Sequence, residues 1–142
     1  EISNLTKIPR ATVHKYVVEI KKKKFVGKDN FANNDIFFRT KKINFFIEKI
    51  VGSGLISEIV SVLNPSCVIL FGSIRRGDSV KESDIDLFVE SSIKKDVNLK
   101  KYERKLGHGV QLFIRKNMDE LQPRLFNNVV NGIKIYGSFK IK

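Results

Sequence analysis

The sequence predicts an α/β (α+β) fold, a small mixed sheet with flanking helices, preceded by a helix-turn-helix module. Three observations lead there. A strand-sized apolar run, Val68 to Phe71, delivers directly into Gly72-Ser73. Ile85, Leu87 and Val89 alternate with Asp84, Asp86 and Phe88, the period of a strand whose two carboxylates share one face. Two helical stripes separated by Pro9 open the chain.

Taken in order, Ile2, Leu5 and Ile8 fall on one helical face, and Pro9 stops that helix. Val13, Tyr16, Val17 and Ile20 form the stripe of a second helix from Arg10 to about Lys23, and helix, tight turn, helix is the helix-turn-helix arrangement. Phe25-Val26, the Gly27-Lys28-Asp29-Asn30 turn and Ile36-Phe37-Phe38 read as a hairpin wing. Ile43 to Val51 is helical, Gly52-Ser53-Gly54 breaks it, and Leu55 to Leu63 resumes until Pro65. After the two strands, Lys95 to Lys105 reads as an exposed helix and Val110 to Ile114 as a third strand. A further helix opens around Asp119-Glu120 or, because Pro123 belongs in a first turn, as late as Gln122. Asn131-Gly132 ends it, and Ile133 to Tyr136 is the last strand. The predicted domains are residues 1–38 and 39–142, with the boundary near Arg39.

Composition narrows the classes. With 42% hydrophobic and 30% charged residues in 142, the chain suits a soluble globular protein and excludes a mainly disordered one. Its apolar runs are too short to span a membrane, and no basic segment followed by an apolar core marks a signal peptide. The lone Cys67 has no internal disulfide partner, which points to a reducing, cytoplasmic setting. Opening on Glu1 instead of Met is expected of a trimmed chain or the ordered part of a longer one. The net charge of +12 favours polyanionic partners, namely DNA, RNA or nucleotide phosphates; a lysine-rich soluble surface is the plain alternative.

The segment LFGSIRRGDSVKESDIDLFVE carries the chemistry. Gly72 lets backbone approach a phosphate closely, and the following N–H groups with the Ser73 hydroxyl can hold its oxygens. After ten intervening residues, Asp84 and Asp86 project from one face of the next strand, where they can bind divalent cations that bridge triphosphate oxygens. Singly these pieces are weak, because Gly-Ser is often only a turn and Asp-Ile-Asp a solvated strand face. Together, at this spacing, they closely resemble the signature of minimal nucleotidyltransferases of the polymerase-beta superfamily, with Arg76-Gly77, Ser83 and the closing NGIKIYG also where that family has them. The resemblance covers roughly Leu55 to Gly137. It implies Asp84 and Asp86 as catalytic metal ligands, and Gly72, Ser73 and Arg76 as nucleotide-binding residues. Mg²⁺ or Mn²⁺ is the implied cofactor, with ATP or another NTP as substrate.

One position departs from that family. A third carboxylate is expected on the next strand, and the matching position in GVQLFIR is Gln111. An amide is a poor Mg²⁺ ligand and cannot accept an acceptor hydroxyl's proton. Glu90 shares the face of the Asp pair but lies two pleats beyond it. Arg75 reads equally as a phosphate brace or an exposed cationic turn. His108, in Gly107-His108-Gly109, reads as a solvated turn residue, and Lys100, Lys101, Arg104 and Lys105 as a solvated helix face.

At the front, IPRATVHKYVVEIKKKKFV resembles the recognition-helix segment of winged-helix transcription regulators. Val13, Val17 and Ile20 would pack inward, leaving Arg10, Thr12, His14 and Lys15 to meet DNA, with Lys21 to Lys24 and Lys28 on flanking backbone. Residues 1–38 hold eight basic and four acidic residues, a net of +4. The first helix of a complete module of that kind is not in this sequence, and plain docking or homodimerisation is the alternative use. The function expected is a DNA-binding nucleotidyltransferase-fold protein that moves a nucleotidyl group, AMP from ATP foremost, to an acceptor. The antitoxin-like resemblance implies a cognate HEPN-type toxin protein as that acceptor. The alternative is a non-catalytic, nucleotide-sensing pseudoenzyme that regulates transcription.

Overall fold

The computed structural model describes residues 1–140 and divides the chain into two compact units, Glu1–Phe38 and Arg39–Lys142. In the first unit, α1 (Ile2–Thr6) and α2 (Arg10–Lys22) are joined by Lys7-Ile8-Pro9. The first helix is shorter than its apolar spacing suggests. Lys7 adopts the left-handed conformation (φ 58°), and the Ser3 hydroxyl caps the turn by donating to the Ile8 carbonyl at 2.5 Å. Pro9 also disfavours α geometry at the residue before it.

The expected hairpin wing is corrected. Only one isolated bridge, Val26 to Ala32, forms around the Gly27–Asn30 turn, and Ile36-Phe37-Phe38 opens a helix instead. The cause is local: the Asp35 carboxylate accepts the Phe38 N–H at 2.8 Å, an N-cap that starts α3 (Ile36–Ser53). Phe25 stacks on Phe37 at 5.9 Å, so these aromatics still serve the first unit as packing. No described residue of that unit is fully buried.

In the second unit, α3 runs on through Gly52, and α4 (Leu55–Leu63) follows after Gly54. Then come β1 (Cys67–Phe71), α5 (Gly72–Arg76), β2 (Ile85–Glu90), α6 (Lys100–Leu106), β3 (Val110–Arg115), a 3-10 turn (Met118–Glu120), α7 (Pro123–Val130) and β4 (Ile133–Gly137). Asp119 and Glu120 belong to the separate turn, and α7 starts at Pro123, whose missing N–H costs nothing at that position. The helix expected from Lys95 begins only at Lys100. It is not merely exposed: Tyr102 and Leu106 are buried, while Lys100, Lys101, Arg104 and Lys105 face solvent.

The four strands form one mixed sheet in the order β3-β2-β1-β4, with β1 antiparallel to both neighbours and β2 parallel to β3. Strand alternation sends side chains to two faces, and each face has its own core. Val68, Leu70, Ile85, Leu87 and Val89 pack with Ile50, Leu55, Ile59, Leu63, Tyr102 and Leu106. Cys67, Ile69, Phe71 and Phe88 pack with Met118, Leu121 and Val129. Covered on both sides, β1 is buried at every residue, which is why it reads as an unbroken apolar run. Burial pushes the Cys67 thiol up to about 11. No helix among the described residues is long and apolar enough to cross a membrane.

Candidate active site

Where β1 ends, the chain turns at Gly72 (φ 75°) into the five-residue α5, anchored by the fully buried Ile74 and closed by Gly77 (φ 74°). β1 and β2 pair so that Phe71 stands opposite Asp86. This register brings the Asp86 carboxylate against Gly72, where an added Cβ would collide with it. Glycine is therefore required twice over. A side chain would be strained by about 1–2 kcal/mol in this left-handed backbone, and it would displace Asp86. The close approach that the sequence assigned to a phosphate is, in the folded chain, an approach to a carboxylate.

Asp84 is bounded in a similar way. On one side its Oδ1 lies against Gly109, leaving no room there for a Cβ. On the other, Gln111 Nε2 donates to Asp84 Oδ2 at 2.6 Å. Gln111 stands directly across from Asp86 in the parallel β2–β3 register, so its side chain shares the face of the Asp pair. The position beside the two carboxylates is thus held by an amide, which ties up one acceptor oxygen of Asp84.

The turn leading into β2 is braced from a residue that sequence reasoning set aside. His108 Nδ1 lies 2.7 Å from the Ser83 carbonyl, and its ring packs edge-on against Phe46 at 5.2 Å. His108 is half-buried and not merely a solvated turn residue; it fixes the backbone one residue before Asp84. The Ser83 hydroxyl accepts the Val80 N–H at 2.8 Å, closing the same loop.

The two carboxylates repel each other. Burial, and next the charge of Asp84, hold the Asp86 carboxyl above the ordinary carboxylate range, with Arg76 partly offsetting both. Arg76 is exposed, and its Nε donates to Asp78 Oδ2 at 2.9 Å. Arg75 is half-buried, and its Nε is buried with no acceptor among the described residues, which is unlike an exposed cationic turn. Glu90 sits at the far end of β2 opposite Cys67, where its Oε1 accepts the Ser66 hydroxyl at 2.7 Å. Four residues of strand, roughly 13 Å, separate it from Asp86, so it cannot stand in for a third carboxylate.

The donor set suits a divalent cation that is shared with a substrate. Among the described residues no group of three or more His, Cys, Asp or Glu side chains could hold a metal ion. Two carboxylates completed by phosphate oxygens are the kind of set Mg²⁺ takes at phosphoryl-transfer sites. The raised Asp86 carboxyl fits too, because a cation would offset both the burial and the Asp84 charge that raise it.

A stability prediction follows. Asp86 binds its proton more readily folded than unfolded, so stability should fall as pH rises from the ordinary carboxylate range through the raised folded value. In chelator at pH 7, Asp86→Asn should melt above wild type, and the gap should close at acid pH, where Asp86 is protonated in both states. Differential scanning calorimetry across pH reads this directly; a variant that melts lower at pH 7 would refute the repulsion.

In the first unit, Arg10, His14 and Lys15 are exposed on α2 and Thr12 is half-buried. Arg10 and His14 border a groove with Val13, Val17 and Ile20, so the apolar stripe is only half covered.

A family model described as the nucleotidyltransferase domain matches residues 54–135, which contain Gly72, Ser73, Asp84, Asp86 and Gln111. The match does not include the first unit. No curated protein matches the chain. Members of this family typically use a divalent metal and a nucleoside triphosphate. With the matched segment covering more than half of the sequence, the chain belongs to the nucleotidyltransferase domain family.

Proposed function

We propose that this protein binds a nucleoside triphosphate with a divalent cation at Asp84 and Asp86 and transfers its nucleotidyl group slowly to an acceptor hydroxyl. The observation that carries this reading is the convergence of Gly72-Ser73 and the two carboxylates at one end of the central strands, with Arg76 close enough to influence Asp86. In the reaction the acceptor oxygen attacks the α-phosphorus, the bond to the β-phosphate oxygen breaks, and diphosphate leaves. A bound Mg²⁺ or Mn²⁺ supplies positive charge to the phosphate oxygens. Asp84 and Asp86 hold that charge in place, and the Ser73 hydroxyl is available to donate to the phosphates. The acceptor's proton passes to solvent, because Gln111 occupies the place where a base would sit and cannot take it.

ATP is the donor proposed, and a HEPN-type toxin protein is the first acceptor to try, both on the antitoxin-like resemblance of the motif. Incubation of the pure protein with α-labelled ATP and Mg²⁺ or Mn²⁺, with and without the protein encoded beside it, tests this. Label on the neighbouring protein is the expected result. Label on neither protein, despite metal-dependent ATP binding, favours the second reading, a nucleotide-sensing pseudoenzyme. The Gln111–Asp84 bond is the observation that speaks for that alternative.

DNA is the proposed partner of the first unit, supported by its net charge of +4 over residues 1–38 and the exposed Arg10, His14 and Lys15 on α2. Affinity should fall steeply with salt, and Arg10→Ala/Lys15→Ala should reduce both the affinity and the salt slope. Unchanged binding in fluorescence anisotropy would leave the unit as a docking module.

A further inference from the structure

Where β2 and β3 end, at the opposite end of these strands from Asp84 and Asp86, lies a recess of about 590 Å³. Ser91, Ser92, Lys94, Arg115, Lys116 and Glu120 line it. Three cations from two strand ends thus share the space with one carboxylate. Among the described residues Lys94, Arg115 and Lys116 form no ion pair, and neither does Glu120. The frame that holds them is well tied down. Ser91 is buried, and its N–H donates to the Arg115 carbonyl at 2.8 Å, joining the two strand ends. Its hydroxyl donates to the Leu63 carbonyl at 2.5 Å and accepts the Ile93 N–H at 3.0 Å, which fixes the chain leading to Lys94. Arg115 Nη1 donates to the Ile114 carbonyl at 2.7 Å, so the guanidinium is oriented while its other N–H groups lack an acceptor among the described residues. Like charges held together repel, and an anion between them would relieve that repulsion.

The distribution of charge points the same way. Residues 39–142 hold nineteen basic and eleven acidic residues, a net of +8, twice that of residues 1–38. Most of the chain's attraction for polyanions therefore lies outside the α2 surface proposed to meet DNA. We infer that this recess is a second nucleic-acid contact, which holds the phosphodiester backbone of RNA or DNA through Lys94, Arg115 and Lys116. The lining decides the class of ligand. A lone phosphate gains little from exposed, screened cations, whereas a strand of successive phosphates releases counterions at each contact. Arg115 offers N–H groups in the fork that engages phosphate oxygens, and the lysines act as point charges. No aromatic ring among the described residues lines the recess, so nothing there stacks a base. The contact positions a strand without reading its sequence. Glu120 opposes it from the same lining. The whole length of β2 lies between the recess and the Asp pair, so this inference does not rest on the proposed nucleotidyl transfer.

The test measures fluorescence anisotropy of labelled single-stranded RNA and DNA oligonucleotides of one sequence, across a salt series, with the full chain throughout. A protein carrying Arg10→Ala/Lys15→Ala should still bind both strands, to within a few-fold of each other. Adding Lys94→Ala/Lys116→Ala should weaken binding and flatten the log–log salt slope by about 1.4, two contacts at the value for a single strand. Glu120→Gln, which removes the opposing charge and no phosphate contact, should instead tighten binding. Lys94, Lys116 and Glu120 are exposed and lie outside the sheet, so each variant should melt like its parent and keep its metal-dependent ATP binding. Unchanged affinity and slope in the folded lysine variant, or no binding by wild type, overturns the inference. Loss of all binding on Arg10→Ala/Lys15→Ala alone overturns it too and leaves the first unit as the nucleic-acid contact. Displacement of the strand by inorganic phosphate at the same phosphate concentration would make the recess a site for small phosphates, which also overturns it.

Discussion

Replacing Gln111 by Asp should raise nucleotidyl transfer by about a hundred- to ten-thousand-fold, the range over which general-base assistance acts. Gln111 lies across from Asp86 and donates to Asp84, so a carboxylate there joins the pair directly. It would add a third ligand for a divalent cation and an acceptor for the hydroxyl's proton. The substitution has a foreseeable cost. Without metal it brings a third negative charge to a place where the Asp86 carboxyl is already raised by burial and by Asp84. The variant should therefore melt below wild type in chelator and recover with Mg²⁺ or Mn²⁺. Transfer and melting are best measured together, since robust transfer by wild type that is unchanged or lower in a folded variant would show that this chain manages with two carboxylates.

The parts of this molecule that were legible in its sequence are those fixed by local spacing. Alternation at Ile85, Leu87 and Val89 indicated a strand and put Asp84 and Asp86 on a common face, because strand geometry leaves no other choice. The family resemblance put Gln111 at the third-carboxylate position beside the pair, and the β2–β3 register sets it opposite Asp86. Where two signals competed, the sequence misled. Phe-rich Ile36-Phe37-Phe38 looks like a strand, yet Asp35 just before it is an N-cap, and the cap decides. Lys95 to Leu99 has helical composition but lies outside α6, whose packing rests on Tyr102 and Leu106.

Contacts between distant segments were not legible at all. Nothing near His108 in sequence says that it will bond Ser83 and rest on Phe46. Gly109 looks like an ordinary turn residue until Asp84 is seen against it. Arg75 seemed equally a brace or a solvated turn, and only the fold shows that its Nε is buried, unlike a solvated turn. For the Asp84–Asp86 site, a hint was available in the sequence: a glycine stands at the end of one neighbouring strand and at the start of the other, where side chains from β2 need space.

The second large effect concerns the Asp pair itself. Two carboxylates create the cation site through which the triphosphate is held, so removing both should abolish metal-dependent ATP binding and not merely weaken it. Neither substitution removes a side chain from the core, because Asp84 and Asp86 are only half-buried, at the start of β2. Relief of their mutual repulsion should in fact leave the doubly substituted protein at least as stable as wild type in chelator. Loss of binding would therefore not be a folding artefact. Isothermal titration of ATP with Mg²⁺ into wild type and Asp84→Asn/Asp86→Asn is the most direct measurement. Metal-dependent binding by wild type, absent in a folded double variant, is the predicted result; equal binding by both proteins would contradict the assignment of this site.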